Sequence, residues 1–197
     1  MTHLQNIPHI LQHGITHISS PNRNPAYVSI GDSSLISVRD TFLLPNDRML
    51  GSYIPFYFDA RMPMLYVIQK GFNGVLATSA KDIVYCVSSV EAIEQQGLDY
   101  VFSDGHAIDV FTNFYTPADR LNIENLIDRK AIQRKYWNDE NDLDLKRRKE
   151  AEFLVSGDIP TDAVLGFVVY NAVAEQEIQQ MQGFQNKKLI IKPEYYF

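Results

Sequence analysis

The stretch Ala151-Glu152-Phe153-Leu154-Val155 sets a carboxylate inside an apolar, β-prone run. Lys146-Arg147-Arg148-Lys149-Glu150 precedes it, and Gly157 and Pro160 follow. Side chains alternate between the faces of a strand, so Glu152 and Leu154 share one face and Ala151, Phe153 and Val155 the other. A glutamate beside a leucine is costly to bury without a partner. Two placements stay open: the mouth of a cleft, or the solvated first residue of the strand. Three other polar features stand out: Thr2-His3, Gly31-Asp32 leading to Arg39, and the turn Asp104-Gly105-His106. Each has a plain structural explanation when taken alone. His106 can cap its own turn, and Arg39 can pair with Asp40 or Asp32 at the surface.

Several chemistries are excluded. There is neither a Gly-x-x-x-x-Gly-Lys-Ser/Thr loop nor a Gly-x-Gly-x-x-Gly after a strand. His9, His13 and His17 are spaced four apart, but Gly14 should end their helix, and neither a cysteine nor a nearby carboxylate completes a ligand set. No metal site is expected. Ser33 and Ser34 lack the strand-elbow-helix setting of a nucleophilic serine. The single cysteine, Cys86, lies in Ile83-Val84-Tyr85-Cys86-Val87 and reads as a small buried hydrophobe in a reduced compartment. No run is apolar enough to span a bilayer and the N-terminus lacks a signal-peptide pattern, so a cytoplasmic protein is expected. The net charge of −6 argues against tight, sequence-blind binding of duplex DNA, which rests on phosphate neutralisation. Any nucleic-acid contact is then confined to a small basic patch.

These residues need a frame. At 197 residues, 45% of them hydrophobic, one domain spanning 1–197 is the natural expectation. Asn6 to Gly14 reads as a short helix capped by Asn6, and Ser19 to Pro25 as a loop. Ala26 to Ile30 reads as a strand. Tyr53 to Phe58 is extended, with Pro55 arguing against a central position. Pro63 to Gly71 has the proline start and glycine stop of a helix. Ile83 to Val87 is a strand, and Ser88 with Glu91 forms a capping-box pattern for a helix ending at Gly97. Tyr100 to Phe102 is a short strand, residues 120 to 137 are helical, and Leu143 to Glu150 is helix or loop. Strands at 151–155, 163–170 and 188–192 and a helix at 172–181 complete the chain. The elements mix without a βαβ rhythm, which favours an α+β fold.

The order of short blocks carries more than any one of them. Thr2-His3-x-x-Asn6-Ile7-Pro8-x-Ile10-Leu11 is followed by Ile30-Gly31-Asp32-x-x-Leu35-Ile36-x-x-Arg39. Then come Tyr53-Ile54-Pro55-Phe56-Tyr57-Phe58 with Met62-Pro63-Met64-Leu65, and Phe102-Ser103-Asp104-Gly105-His106-Ala107. Ala151-Glu152-Phe153-Leu154 and Lys192-Pro193-Glu194-Tyr195-Tyr196-Phe197 close the series. This order resembles the DarT family, bacterial toxins that move ADP-ribose from NAD to a base of single-stranded DNA. The resemblance covers essentially the whole chain.

The resemblance implies an ADP-ribosyltransferase-like split β-sheet with flanking helices around an NAD cleft, with NAD as co-substrate. It implies thymine as the favoured base, with guanine as a second option, and a DarG-type macrodomain antitoxin as partner. Glu152 matches the family's catalytic glutamate and Arg39 its essential arginine, which grips the pyrophosphate. Thr2, within Thr2-His3, matches a contact to the nicotinamide end, and His9 and His17 match positions lining the NAD cleft. Met64 and His106 fall where the family approaches the substrate base and its strand. The basic run holding Arg147 and Arg148 falls in the substrate-recognition loop, where it suits phosphates. The family pattern has residues ahead of Thr-His, whereas this chain starts at Met1. Either its start lies upstream or its pocket floor is built differently. Two further readings stand beside this one: a transferase or NAD glycohydrolase of the same fold acting on protein or water, and a nucleic-acid-binding module without catalysis.

Overall fold

In the computed structural model, which describes residues 1–185 and 187–197, the strands form two four-stranded sheets. The strands are β1 (Thr2–His3), β2 (Tyr53–Tyr57), β3 (Ile83–Val87), β4 (Tyr100–Ser103), β5 (Phe114–Tyr115), β6 (Glu152–Ser156), β7 (Gly166–Val169) and β8 (Lys188–Ile191). The helices are α1 (Ile7–His13), α2 (Ser33–Thr41), α3 (Pro63–Lys70), α4 (Val90–Gln95), α5 (Ile123–Leu126), α6 (Arg129–Ile132), α7 (Leu145–Lys149) and α8 (Ala172–Gln179). Among the described residues no helix is long and apolar enough to cross a membrane. The chain divides into two units, one of Met1–Asp32, Tyr66–Leu98 and Gly157–Phe197, the other of Ser33–Leu65 and Asp99–Ser156.

The first unit holds the sheet β1-β3-β7-β8, in which only the β7–β8 pair is parallel. The C-terminal Tyr196 explains part of the terminal sequence block. Its buried hydroxyl donates to the carbonyls of Ile83, at 2.9 Å, and Val168, at 3.2 Å, clamping β3 to β7. Gly14 ends α1 at φ 78°, and a Cβ there would meet the Ile159 carbonyl oxygen at 2.0 Å, so only glycine fits. Asn6 stands at the N-cap of α1, yet its side chain makes no cap bond. It donates instead to Thr2 Oγ1 and to the Val28 carbonyl, and accepts from the Val28 N–H. That brace is why 26–30 is not the strand its composition suggests: Val28 finds its backbone partners in an amide side chain rather than a ladder. The capping position also moves by one. Ser89 caps α4 through the Ala92 N–H, while Ser88 donates to the Ala163 carbonyl.

The second unit holds the antiparallel sheet β2-β6-β4-β5. Pro55 lies on β2, an edge strand, where a missing N–H is tolerated. Leu154 packs with Leu44, Leu50, Tyr53, Val101 and Ala107, while Phe153 stacks against Tyr100 with ring centroids 4.5 Å apart. Residues 120 to 137 do not make one helix. They break into a 3-10 turn (Pro117–Asn122), α5 and α6, because Asp128 caps a new start through the Ala131 N–H. Arg39, which the sequence left beyond a turn, rides in the last turn of α2.

Candidate active site

Glu152 opens β6 and is both first in its strand and fully buried, a combination neither sequence placement foresaw. What permits the burial is a set of partners. Arg39 Nη1 donates to Glu152 Oε2 at 2.8 Å. The Ala107 N–H donates to Oε1 at 3.0 Å, and His106 Nδ1 meets Oε1 at 3.2 Å. The Glu152 N–H donates to Ser103 Oγ, which in turn donates to the Gly105 carbonyl at 2.7 Å. Burial pushes the Glu152 carboxyl up, but the Arg39 charge, His106 and the Ala107 amide together outweigh it and hold the group below the usual range. His106 moves the other way. Burial disfavours its charge, yet Glu152 and Glu150 overcome that and raise it, with Arg39 opposing.

The turn after β4 is shaped for this. A Cβ at Gly105 would meet the Arg147 guanidinium at 2.5 Å, so the loop closes only with glycine there. The His106 N–H then donates to the Arg147 carbonyl at 2.9 Å, which aims the next residue's N–H at Glu152. Tyr57 sits directly opposite Glu152 across the β2–β6 pair. Burial, then the charges of Glu152 and Glu150, hold its phenol well above the ordinary value.

The basic run is arranged differently from an open phosphate patch. Arg147 donates Nε and Nη2 to Asp144 at 2.7 and 2.8 Å and Nη1 to Asp104 at 2.8 Å. Arg148 is paired with Asp128, Asp142 and Asp144. Lys149 is wholly buried and donates to the Ile132 carbonyl at 2.7 Å. Only Lys146 of the four is exposed. Beside them opens a hollow of about 510 Å³, reached by His106, Lys146 and Glu150 and rimmed by Phe111 and Leu143. Burial, reinforced by Glu152 and opposed by His106, Lys146 and Lys149, raises the Glu150 carboxyl.

Of the sequence candidates, Arg39, His106 and Glu152 thus meet at one point, and Arg147 stands behind them. Met64 is half-buried in the first turn of α3. Thr2, His3, His9 and His17 belong to the other unit. There His3 Nδ1 accepts from the Gln5 N–H and lines a hollow of about 230 Å³ with Val28, Gly31 and Thr78. His9 Nε2 lies 3.0 Å from Thr16 Oγ1, and the His17 N–H donates to Asp158. The rings of His9 and His13 are 4.8 Å apart, and among the described residues no three His, Cys, Asp or Glu side chains are grouped to hold a metal. Glu150, Tyr57 and Ser103 were not singled out from sequence. The spacing Glu150-x-Glu152 was the signal available for the first, and the β2–β6 register for the second.

A buried carboxylate held by arginine and histidine at the head of a strand, in a two-sheet α+β fold, is the layout of an NAD-consuming ADP-ribosyltransferase. The chain belongs to the DarT family: the family model described as ssDNA thymidine ADP-ribosyltransferase matches residues 1–197. It is 30% identical over 205 residues to a DNA ADP-ribosyl transferase of Thermus sp. (strain 2.9), spanning 100% of this chain and 94% of that one. The structure of Thermus sp. 2.9 DarT in complex with ADP-ribosylated ssDNA aligns with TM-score 0.84 at 29% identity, covering 100% of this chain and 93% of that chain. The same protein in complex with NAD+ aligns at 0.81 and 30% identity, covering 100% and 94%. A Thermosipho africanus protein described as a DNA ADP-ribosyl transferase–DNA ADP-ribosyl glycohydrolase fusion is 26% identical over 198 residues, 100% of this chain and 48% of that protein.

Proposed function

We propose that this chain transfers ADP-ribose from NAD to thymine in single-stranded DNA, with guanine as a second acceptor, and that residues 1–197 act as one catalytic domain. The observation that carries the reading is the triple hold on a fully buried Glu152. Cleaving the bond to nicotinamide builds positive charge on the ribose, as in glycoside cleavage. A fixed carboxylate facing that charge stabilises the transition state more than the ground state. A carboxylate offers about four lone-pair positions. Three are used here, and the open one, on Oε2, suits a ribose hydroxyl.

Arg39 Nη2 is buried with no hydrogen-bond partner among the described residues. A spare guanidinium donor suits an anion, either the NAD pyrophosphate or a base losing its proton. Thr2, His3, His9 and His17 are assigned to NAD, and Met64 and His106 to the acceptor base. Arg147 and Arg148 are assigned to the DNA strand. Being already ion-paired, they act by holding that wall in shape rather than as free phosphate contacts. A base so modified blocks copying of the template. The Thermosipho fusion of transferase and glycohydrolase therefore supports a toxin role, with a DarG-type macrodomain partner that removes the mark. The cytoplasm, where NAD and single-stranded DNA meet, is the proposed site of action.

The test is incubation with labelled NAD and single-stranded oligonucleotides, followed by mass spectrometry of the modified base. Glu152→Gln should lower transfer by about 10²–10³-fold while NAD still binds. Free ADP-ribose without labelled DNA would point to a glycohydrolase, and full activity in the variant would remove Glu152 from the chemistry.

A further inference from the structure

We infer that Glu150 takes the ring-nitrogen proton from the acceptor base, seated in the hollow beside His106, and thereby restricts the acceptor to bases that carry such a proton. This rests on the DNA-transferase reading above. Glu150 caps the C-terminus of α7, two residues before Glu152. The residue is 6% exposed and lines the 510 Å³ hollow. Glu152 has three partners on its carboxylate, whereas among the described residues no hydrogen bond reaches that of Glu150. His106 lies 3.2 Å from the Glu152 carboxylate and lines the same hollow as Glu150, and both carboxylates favour its charge.

The hollow suits a neutral base better than a phosphate. It presents three carboxylates, those of Asp109, Asp144 and Glu150, against His106, Lys146 and Arg147. Arg147 is already spent on Asp144 and Asp104. The rim is apolar: Phe111 is 77% exposed and Leu143 91%. An exposed aromatic beside a polar floor fits an unstacked base, whose face stacks while its edge seeks partners. At the floor the unsatisfied group is a hydrogen-bond acceptor. Thymine offers a ring N–H on its pairing edge and so does guanine. On that edge the ring nitrogen of adenine and of cytosine carries no proton, and their donors are exocyclic amino groups.

The step balances. The base N–H proton passes to the Glu150 carboxylate, and the nitrogen lone pair forms the bond to the ribose carbon. The bond from that carbon to nicotinamide breaks, and its electron pair leaves on neutral nicotinamide. The charged and titratable groups around Glu150 are Lys146 and Lys149 on α7, His106 from the turn, Glu152 on β6 and Tyr57 on β2, with Asp109, Asp144 and Arg147 lining the same hollow. Burial leads among their influences and makes the carboxylate a stronger proton acceptor than an exposed one.

The experiment uses the full chain, labelled NAD and four oligonucleotides, each rich in one base. Wild-type label on the thymine-rich strand is the reference, and label on none of the four overturns the transferase reading itself. Given that reference, Glu150→Gln should cut transfer by about 10²–10⁴-fold while NAD affinity, by calorimetry, stays within about twofold. Its residual rate should climb roughly tenfold per pH unit toward alkali, as the base ionises without help, so the gap to wild type narrows. Glu150→Asp, which keeps a carboxylate, should lose less and keep the wild-type pH profile; it decides the matter if the glutamine variant unfolds early. Transfer within about threefold of wild type in Glu150→Gln, or a loss that does not change with pH, overturns the assignment.

Discussion

Replacing Arg39 with methionine removes the cation from a pair whose side chains are 14% and 0% exposed. Methionine keeps the length and flexibility of the stem while deleting the charge. Removing one partner of a buried ion pair costs about 3–5 kcal/mol, because the other charge is left uncompensated. Here Glu152 retains His106 and the Ala107 N–H, which places the loss near the lower end, about 3 kcal/mol. For a chain of this size that corresponds to a fall in Tm of roughly 6–12 °C. Thermal melts and urea titrations at neutral pH provide the measurement. The double variant Arg39→Met/Glu152→Gln should recover most of the loss, since no buried charge is then unpaired. The pH dependence has a definite sign. A carboxyl held below its ordinary range stabilises the fold above that range, and the contribution fades as pH falls through the folded value. The gap between wild type and Arg39→Met should therefore narrow toward acid. A loss under about 1 kcal/mol, or a double variant no better than the single one, would refute the idea that Glu152 is held by charge.

Asn6→Ala removes three hydrogen bonds that brace Val28 and Thr2, and should cost about 1–3 kcal/mol. Faster amide exchange at residues 26–30 should accompany it, and unchanged exchange there would show the brace to be idle. Glu150→Gln should stabilise the fold while it removes activity. Burial raises that carboxyl, so ionised Glu150 weakens the folded state as pH climbs through the shifted value. The glutamine variant should melt higher than wild type at pH 8 and no higher at pH 4; equal melting at both would mean the charge is well solvated.

The strands bounded by glycine and proline were legible, as were α1, α3 and the edge position of β2, because local chemistry decides them. Ala26–Ile30 was misread because its partner is a side chain 22 residues away, which no periodicity reveals. The broken helix between 117 and 132 was misread because its apolar spacing resembles a continuous turn pattern, while Asp128 restarts it. In the site, Arg39 and Glu152 came from ordered blocks, yet 113 residues separate them and their pairing appears only in three dimensions. The run Lys146–Lys149 illustrates the reverse. Four consecutive cations look like a phosphate surface in one dimension. Of their carboxylate partners, Asp104 and Asp128 come from elsewhere in the chain, while Asp142 and Asp144 stand just ahead of the run.

Two glutamates separated by one alanine are driven apart by their surroundings. Glu152 is surrounded by donors, and its proton is held off despite complete burial. Glu150 is buried nearly as far, among the described residues no donor reaches its carboxylate, and its proton is retained to higher pH. Pairs of carboxyls pushed in opposite directions are how one fold divides labour between a charge stabiliser and a proton acceptor. An ionised carboxylate that must face a cation needs a permanent charge, which Arg39 secures. A carboxylate that must take a proton needs the opposite, a setting in which ionisation is barely favoured. His106 couples the two: its proton strengthens the hold on Glu152 and lowers the neighbouring Glu150. Loss of His106 should then weaken both functions at once, more than either glutamate's surroundings alone would suggest.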